Sequence, residues 1–167
     1  MLKPQPDNPN RARRWLISGA IGSFSIALLH LVIIFIGAPG YLYFGAPSLA
    51  RQAELGSLAP AFLTAAITLL FVLCGVYALS GAGVLSPFFL LRTVLIGITV
   101  VYVLRGLVLV PDLIRTLQGA GYPLRQTAFS AVSLAIGFAH AFGLLARRGP
   151  MSGACRRPAA EIASGRR

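Results

Sequence analysis

Acidic residues are nearly missing from this chain of 167: Asp7, Glu54, Asp112 and Glu161 are the four, against 15 Lys and Arg. Chemistry run by paired carboxylates, or by carboxylates gathered around a metal ion, needs two or more such groups in one place. Four acids spread over the whole length supply neither. Cysteine is equally sparse: Cys74 falls in an apolar run and Cys155 in a polar tail, with no C-x-x-C spacing. That excludes a redox thiol pair within one chain and leaves Cys74 as a small packing residue. The two histidines, His30 and His140, form no His-x-x-His or Glu-x-x-His pattern, so no metal site is expected. Nor can a Ser-His-Asp set or another nucleophile with its base be assembled. The chain implies no catalysis and no cofactor.

Charge of either sign is scarce. Charged residues make up 11% of the chain and hydrophobic ones 56%, with a mean hydropathy of +0.77. A soluble domain carries about 25% charged residues. The net charge of +11 does not point to nucleic acid, because the basic residues form clusters beside apolar runs with no aromatic-interleaved basic face. The partner it does imply is a lipid bilayer.

What the chain has in abundance is long apolar runs: Trp15 to Ile36, Leu58 to Leu79, Phe88 to Val110 and Thr127 to Ala146. At about 1.5 Å of rise per residue, each crosses a hydrocarbon core of about 30 Å as a helix. The expected fold is an all-α membrane protein, a bundle of four transmembrane helices over residues 15–146. A basic tail, residues 1–14, precedes it, and a basic tail, residues 147–167, rich in Arg, Ala, Gly, Ser and Pro, follows it and is expected to be disordered. Arg13-Arg14 ahead of the first run resembles a twin-arginine signal, but 22 apolar residues exceed the usual signal core of about 7 to 15. A retained anchor is expected.

Flanking charge sets the orientation. Lys3, Arg11, Arg13 and Arg14 precede the first span; Arg147, Arg148, Arg156, Arg157, Arg166 and Arg167 follow the fourth. Basic residues near span ends stay cytoplasmic, so both termini are expected inside. The two loops this puts outside, Gly37 to Ser57 and Pro111 to Gln126, hold only Arg51, Arg115 and Arg125. Fourteen Arg against one Lys is the usage of a GC-rich bacterial genome and points to a bacterial inner membrane.

Each outer loop carries a short helix expected to lie flat on the periplasmic surface. In the first, prolines and glycines from Ala38 to Pro47 break helix around Tyr41, Tyr43 and Phe44, read as part of an interfacial aromatic belt. Ser48 then caps a helix Leu49 to Leu55, which exposes Arg51 and Glu54 and stops at Gly56. In the second, Pro111-Asp112 opens a helix with Leu113, Ile114 and Leu117 on one face, ending at Gly119.

Small residues recur every fourth position within the spans: Gly19, Ser23 and Ala27; Thr93 and Gly97; Ser133, Gly137 and Ala141. Helices in lipid associate by close packing, so these stripes are expected to point inward. They carry His30 and His140 with them, each suited to a hydrogen bond between helices. Joint ligation of a haem is excluded by depth, since His30 lies about 22 Å and His140 about 9 Å from the inner ends of their helices.

The third span holds two arginines. Arg92 is close to its inner end and snorkels to head groups. Arg105 lies near the outer end, on the stripe of Thr93, Gly97 and Val101, so it is expected to point inward and to need a partner. Only Glu54 and Asp112 are carboxylates on that side, and Glu54 is slightly preferred because Pro111 redirects the chain before Asp112. His30 shares the depth of Arg105. With Tyr102 one turn away and Tyr41, Tyr43 and Glu54 above, these residues are expected to form one polar cluster at the outer face, either a structural clasp or a binding site.

The strings Tyr43-Phe-Gly-Ala-Pro47, Tyr77-Ala-Leu-Ser-Gly-Ala-Gly83, Leu90-Leu-Arg92 and Tyr102-Val-Leu-Arg-Gly106 resemble those of a group of uncharacterised small four-span bacterial inner-membrane proteins. The resemblance covers roughly Leu16 to Ala146. It implies a four-helix membrane fold and brings no activity or site. Among function classes, a non-catalytic interaction or accessory subunit, a homo-oligomer or the partner of another membrane protein, is favoured by the small-residue faces. The alternatives are a small transporter or channel, and a protein binding a lipid, quinone or small molecule around His30 and Arg105. The four-span multidrug exporters carry a carboxylate in the first span, where this chain has His30.

Overall fold

The computed structural model describes residues 9–119 and 123–147, and among them every regular element is a helix. In chain order these are α1 Pro9–Ile36, α2 Ala38–Tyr43, α3 Pro47–Glu54, α4 Ala59–Gly81, α5 Leu91–Leu107, α6 Leu109–Leu117 and α7 Leu124–Ala146. Four stretches are long and apolar enough to cross a membrane: Asn10–Ile36, Ala59–Gly81, Leu91–Leu117 and Leu124–Ala146. The expected disordered tail, from residue 148 onward, lies outside the described residues.

Proline marks where helices begin. Pro39, Pro47 and Pro60 occupy the first turns of α2, α3 and α4. An amide N–H has no helical acceptor there, so the missing donor costs nothing and the fixed φ suits the helix. Pro111 falls later, in the middle of an otherwise continuous helical path, and has no N–H to give the carbonyl of Leu107. α5 stops at that residue, and the backbone passes through Val108 (φ −60°, ψ −16°) directly into α6. Left-handed glycines make the sharp reversals: Gly37 (φ 73°) turns α1 into α2, and Gly45 (φ 83°) turns α2 into α3.

The four long helices form a ring in the order α4, α1, α7, α5. α1 packs most extensively on α4, α5 on α7, and α1 on α7, while α4 and α5 touch least. Glycines fit against large side chains at each close contact: Gly75 against the ring of Phe24, Gly19 against His140, and Gly22 against Ile136. Such close fits gain dispersion energy between the helices. The ring core contains Ala20, Ala78, Leu91, Leu95, Ile98, Tyr102 and Ile136. A second cluster, Ile33, Tyr41 and Ala50, lies under α2 and α3.

Five local expectations need correction. The Thr93 and Gly97 stripe faces outward: both residues are exposed, Val101 is 66% exposed, and Gly97 has open space beside it. The inward face of α5 is Leu91, Leu95, Ile98, Tyr102 and Gly106. The cause is the neighbouring helix, since α4 already supplies Gly81 as the hollow and Leu95 fills it. Ala38 to Tyr43 is a helix and not a break, because Pro39 falls in its first turn, Gly37 and Gly45 lie outside it, and Gly40 keeps a helical backbone. Tyr41 is buried and not in an exposed belt. Ser48 caps nothing; α3 starts at Pro47 after Ala46 without a side-chain cap. α6 starts at Leu109 and not at Pro111, and turns Leu113, Ile114 and Leu117 outward and Asp112 inward. The carboxylate gains a hydrogen bond from Ser130 of the packed side where a leucine would gain none, so it decides which face packs.

Candidate functional site: a cavity at the α2/α3/α6 end

Because α4 and α5 meet least, the bundle retains a cavity of about 400 Å³ towards the end that carries the short helices. α1 contributes Ile26, Leu29, His30 and Ile33; α4 contributes Ile67 and Phe71; α5 contributes Val101, Tyr102 and Arg105; α7 contributes Gln126, Phe129, Val132 and Ser133. Phe44, just after α2, closes the top. Most of this lining is aliphatic or aromatic, with few polar groups, which is the make-up of a small-molecule site.

The polar groups are held in distinct ways. His30 Nδ1 lies 2.8 Å from the carbonyl of Ile26 one turn earlier. A carbonyl only accepts, so Nδ1 carries the proton and Nε2 is left as the other polar edge of the ring. Tyr102 donates its hydroxyl to Ser23 Oγ at 2.9 Å, which ties α5 to α1 and leaves the ring as cavity wall. Ser133 is spent on the carbonyl of Phe129 at 2.9 Å. Gln126 reaches the carbonyl of Phe44 at 3.4 Å, fastening the roof to α7.

Arg105 lines the cavity from the last turn of α5, where a cation also suits the helix dipole, but like the rest of its stripe it is exposed and not turned into the core as expected. Its Nη1 donates to Ser130 Oγ at 3.1 Å, and Ser130 donates to Asp112 Oδ2 at 2.6 Å. Asp112 is 4% exposed. One serine of α7 therefore joins the cation of α5 to the carboxylate of α6. Beside it, Thr116 and Thr127 share a hydrogen bond of 2.9 Å, so α6 is fastened to α7 twice.

Of the cluster expected from sequence, the cavity collects His30, Tyr102 and Arg105, with Asp112 behind Ser130. The preferred acid for Arg105 was Glu54, but Glu54 is exposed at the end of α3. The carboxylate linked to Arg105 is Asp112, since the kink at Pro111 is mild enough to keep it beside α7. Tyr41 stands apart: it is buried and accepts a hydrogen bond from Thr64 at 3.1 Å, pinning α2 to α4. Tyr43 is exposed, with the guanidinium of Arg125 5.1 Å from its ring centre. Among the described residues neither histidine bonds another helix; His140, like His30, is bonded to its own helix, at Ile136.

Ser130, Gln126, Phe71 and Phe129 escaped the sequence reading. For Ser130 the signal existed, because Thr127, Ser130 and Ser133 repeat every third residue and extend the small-residue stripe of α7. The aromatics carried none, since a phenylalanine facing lipid and one facing a cavity read alike.

Comparison of the chain with family models, with curated proteins and with solved structures returns no match.

Proposed function

We propose that this is a non-catalytic integral membrane protein that holds a membrane-soluble small molecule in the cavity lined by α1, α4, α5 and α7. The observation that carries the reading is that His30, Tyr102 and Arg105, from two helices far apart in sequence, line one largely apolar cavity of about 400 Å³. That volume falls within the range of about 300–1,000 Å³ of small-molecule sites. The weak contact of α4 with α5 gives such a molecule a route from the bilayer without passing through water. Purification in native lipid followed by mass spectrometry tests the reading. A molecule retained by the native chain and lost when Val132→Trp fills the cavity supports it; identical contents in both remove it.

The flanking charge pattern supports a bacterial inner-membrane location with both termini cytoplasmic, which puts α2, α3 and α6 on the periplasmic side. Reporter fusions after Arg147 and within α3 decide the matter, and periplasmic activity at the first would reverse it. The resemblance to small four-span bacterial inner-membrane proteins is part of the same proposal. Association with another membrane subunit is the second reading. It is favoured by the outward position of Gly97 with exposed Thr93 beside it, a surface on which another helix can approach closely.

A further inference from the structure

We infer that the molecule held in the cavity is an anionic amphiphile, with an acidic oxyanion head on Arg105 and a hydrocarbon tail along the apolar lining that includes Ile67, Phe71, Val101 and Val132. The inference rests on the binding reading above and names the ligand class for that site.

The argument begins with the donors of Arg105. A guanidinium has five N–H groups in a planar fork. One of its nitrogens is committed to Ser130, and among the described residues the side chain makes no other hydrogen bond or ion pair. Its acid, Asp112, is one residue removed, on the far side of the Ser130 hydroxyl. A cation in an apolar span with most of its donors unspent is costly unless something supplies acceptors. Water or a head group would do so from the cavity mouth; a carboxylate or phosphate does so best, because two of its oxygens match the fork.

The remaining walls fix the other half of the molecule. Tyr102 and Ser133 have their hydroxyls spent on protein partners, so they present no free donor to a ligand. Below Arg105 the cavity is bounded by Ile26, Ile67, Phe71, Val101 and Val132, a surface for hydrocarbon. His30 Nε2 and the amide of Gln126, one N–H of which is committed to the carbonyl of Phe44, are the further polar groups. One cation thus meets a cavity lined mostly by aliphatic and aromatic side chains, the combination that suits a single-chain amphiphile with an anionic head.

The test uses the full chain in phosphatidylcholine nanodiscs at about pH 8, where carboxylic acids in water are ionised. Radiolabelled dodecanoate is bound and then competed by dodecyl phosphate, dodecanol, acetate and inorganic phosphate, each corrected for uptake by empty discs. The expected result is that dodecanoate and dodecyl phosphate compete at least about tenfold more strongly than dodecanol, and that acetate and inorganic phosphate fail. Arg105→Gln should abolish the preference for acid over alcohol while leaving dodecanol binding in place, and Arg105→Lys should restore part of it. Retention of dodecanol binding also reports that the variant is folded. If no amphiphile binds, acidic or neutral, both the binding reading and the inference fall. If acid and alcohol bind alike, or the preference survives Arg105→Gln, the inference falls and the binding reading stands. If acetate or phosphate competes as well as the dodecyl compounds, the site takes a free oxyanion and the amphiphile is overturned.

Discussion

The two histidines mark two halves of the bundle built on different terms. Each bonds the carbonyl four residues earlier, at 2.8 Å for His30 and 2.9 Å for His140, so the local chemistry is the same. Their surroundings differ. His140 is fully buried, stacked on Tyr102 with ring centres 5.5 Å apart and seated against Gly19, and its Nε2 has no hydrogen-bond partner among the described residues. His30 is partly exposed on the cavity wall, 5.2 Å from Phe71. A row of rings, His30, Phe71, Tyr102 and His140, joins the two, with 6.0 Å between Phe71 and Tyr102. One side of that row is sealed by glycine fits and the other is left open, which teaches that packing and not residue type decides which histidine can meet a ligand.

Sealing should be the more sensitive property. A methyl group added at Gly19 would lie 2.7 Å from the ring of His140, which Tyr102 prevents from moving aside. Gly19→Ala gains about 1 kcal/mol of helix propensity but forces apart α1 and α7, an overpacking cost of about 1–3 kcal/mol. With the buried ring unable to yield, the cost is expected near its upper end, for a net loss of about 2 kcal/mol. Thermal unfolding in detergent measures it. An unchanged midpoint would mean that the His140 half is no tighter than the His30 half, and the comparison would fail.

The open half depends on hydrogen bonds instead. Ser130→Ala removes the hydroxyl between Arg105 and Asp112, leaving a buried carboxylate one donor short. Hydrogen bonds to charged groups contribute about 1.5–3 kcal/mol, and the exposure of Arg105 argues for the lower part of that range, about 1.5 kcal/mol. Ser130→Thr keeps the hydroxyl and should retain most of it. If Ser130→Ala is neutral, the link is not what fastens α6 to α7, and Thr116 with Thr127 is the bond to remove next.

How much of this was legible differs by level. The four long apolar helices follow from run length alone, and the ends of α4 and α7 fall within three residues of those read from sequence, because each unbroken apolar run marks where a helix lies. Arg105, His30 and Tyr102 were legible as a group because polar residues in a span are rare and their depths can be counted. The face of α5 was not legible. Thr93 and Gly97 invite close approach from anything, but Gly81 on α4 made the large side chain of Leu95 the better fit, and that pairing depends on two helices at once. Glu54 and Asp112 could not be separated for a similar reason, since the choice turned on how sharply Pro111 bends the chain.

The outward face of α5 offers a contrast within one residue type. Gly97 has nothing within 4 Å of an added Cβ, where Gly19 meets a ring. Gly97→Ala in the isolated protein should therefore stabilise by up to about 1 kcal/mol through helix propensity. If the same change lowers stability or breaks an oligomer in native membranes, a second helix packs on that face and the subunit-association reading gains over the cavity reading. Unfolding measured both in detergent and in native lipid separates the two.

The smallest effect is expected at the loop before α5. Leu90 has φ 54°, the left-handed region, and is the only non-glycine residue with positive φ among those described. Its side chain is exposed, so no packing holds it there; the turn from α4 requires the conformation. For a residue with Cβ this backbone costs about 1–2 kcal/mol. Leu90→Gly removes the clash but adds about 0.5–1 kcal/mol of chain entropy to be lost on folding. The first term exceeds the second, so the sign is stabilising and the net about 0.5–1 kcal/mol. Leu90→Ala keeps the Cβ and should give none of this gain. Unfolding midpoints of the two variants, compared in one detergent, check the difference: equal midpoints would show that the turn relaxes around Leu90 and that the sealed half carries no backbone strain at its loop.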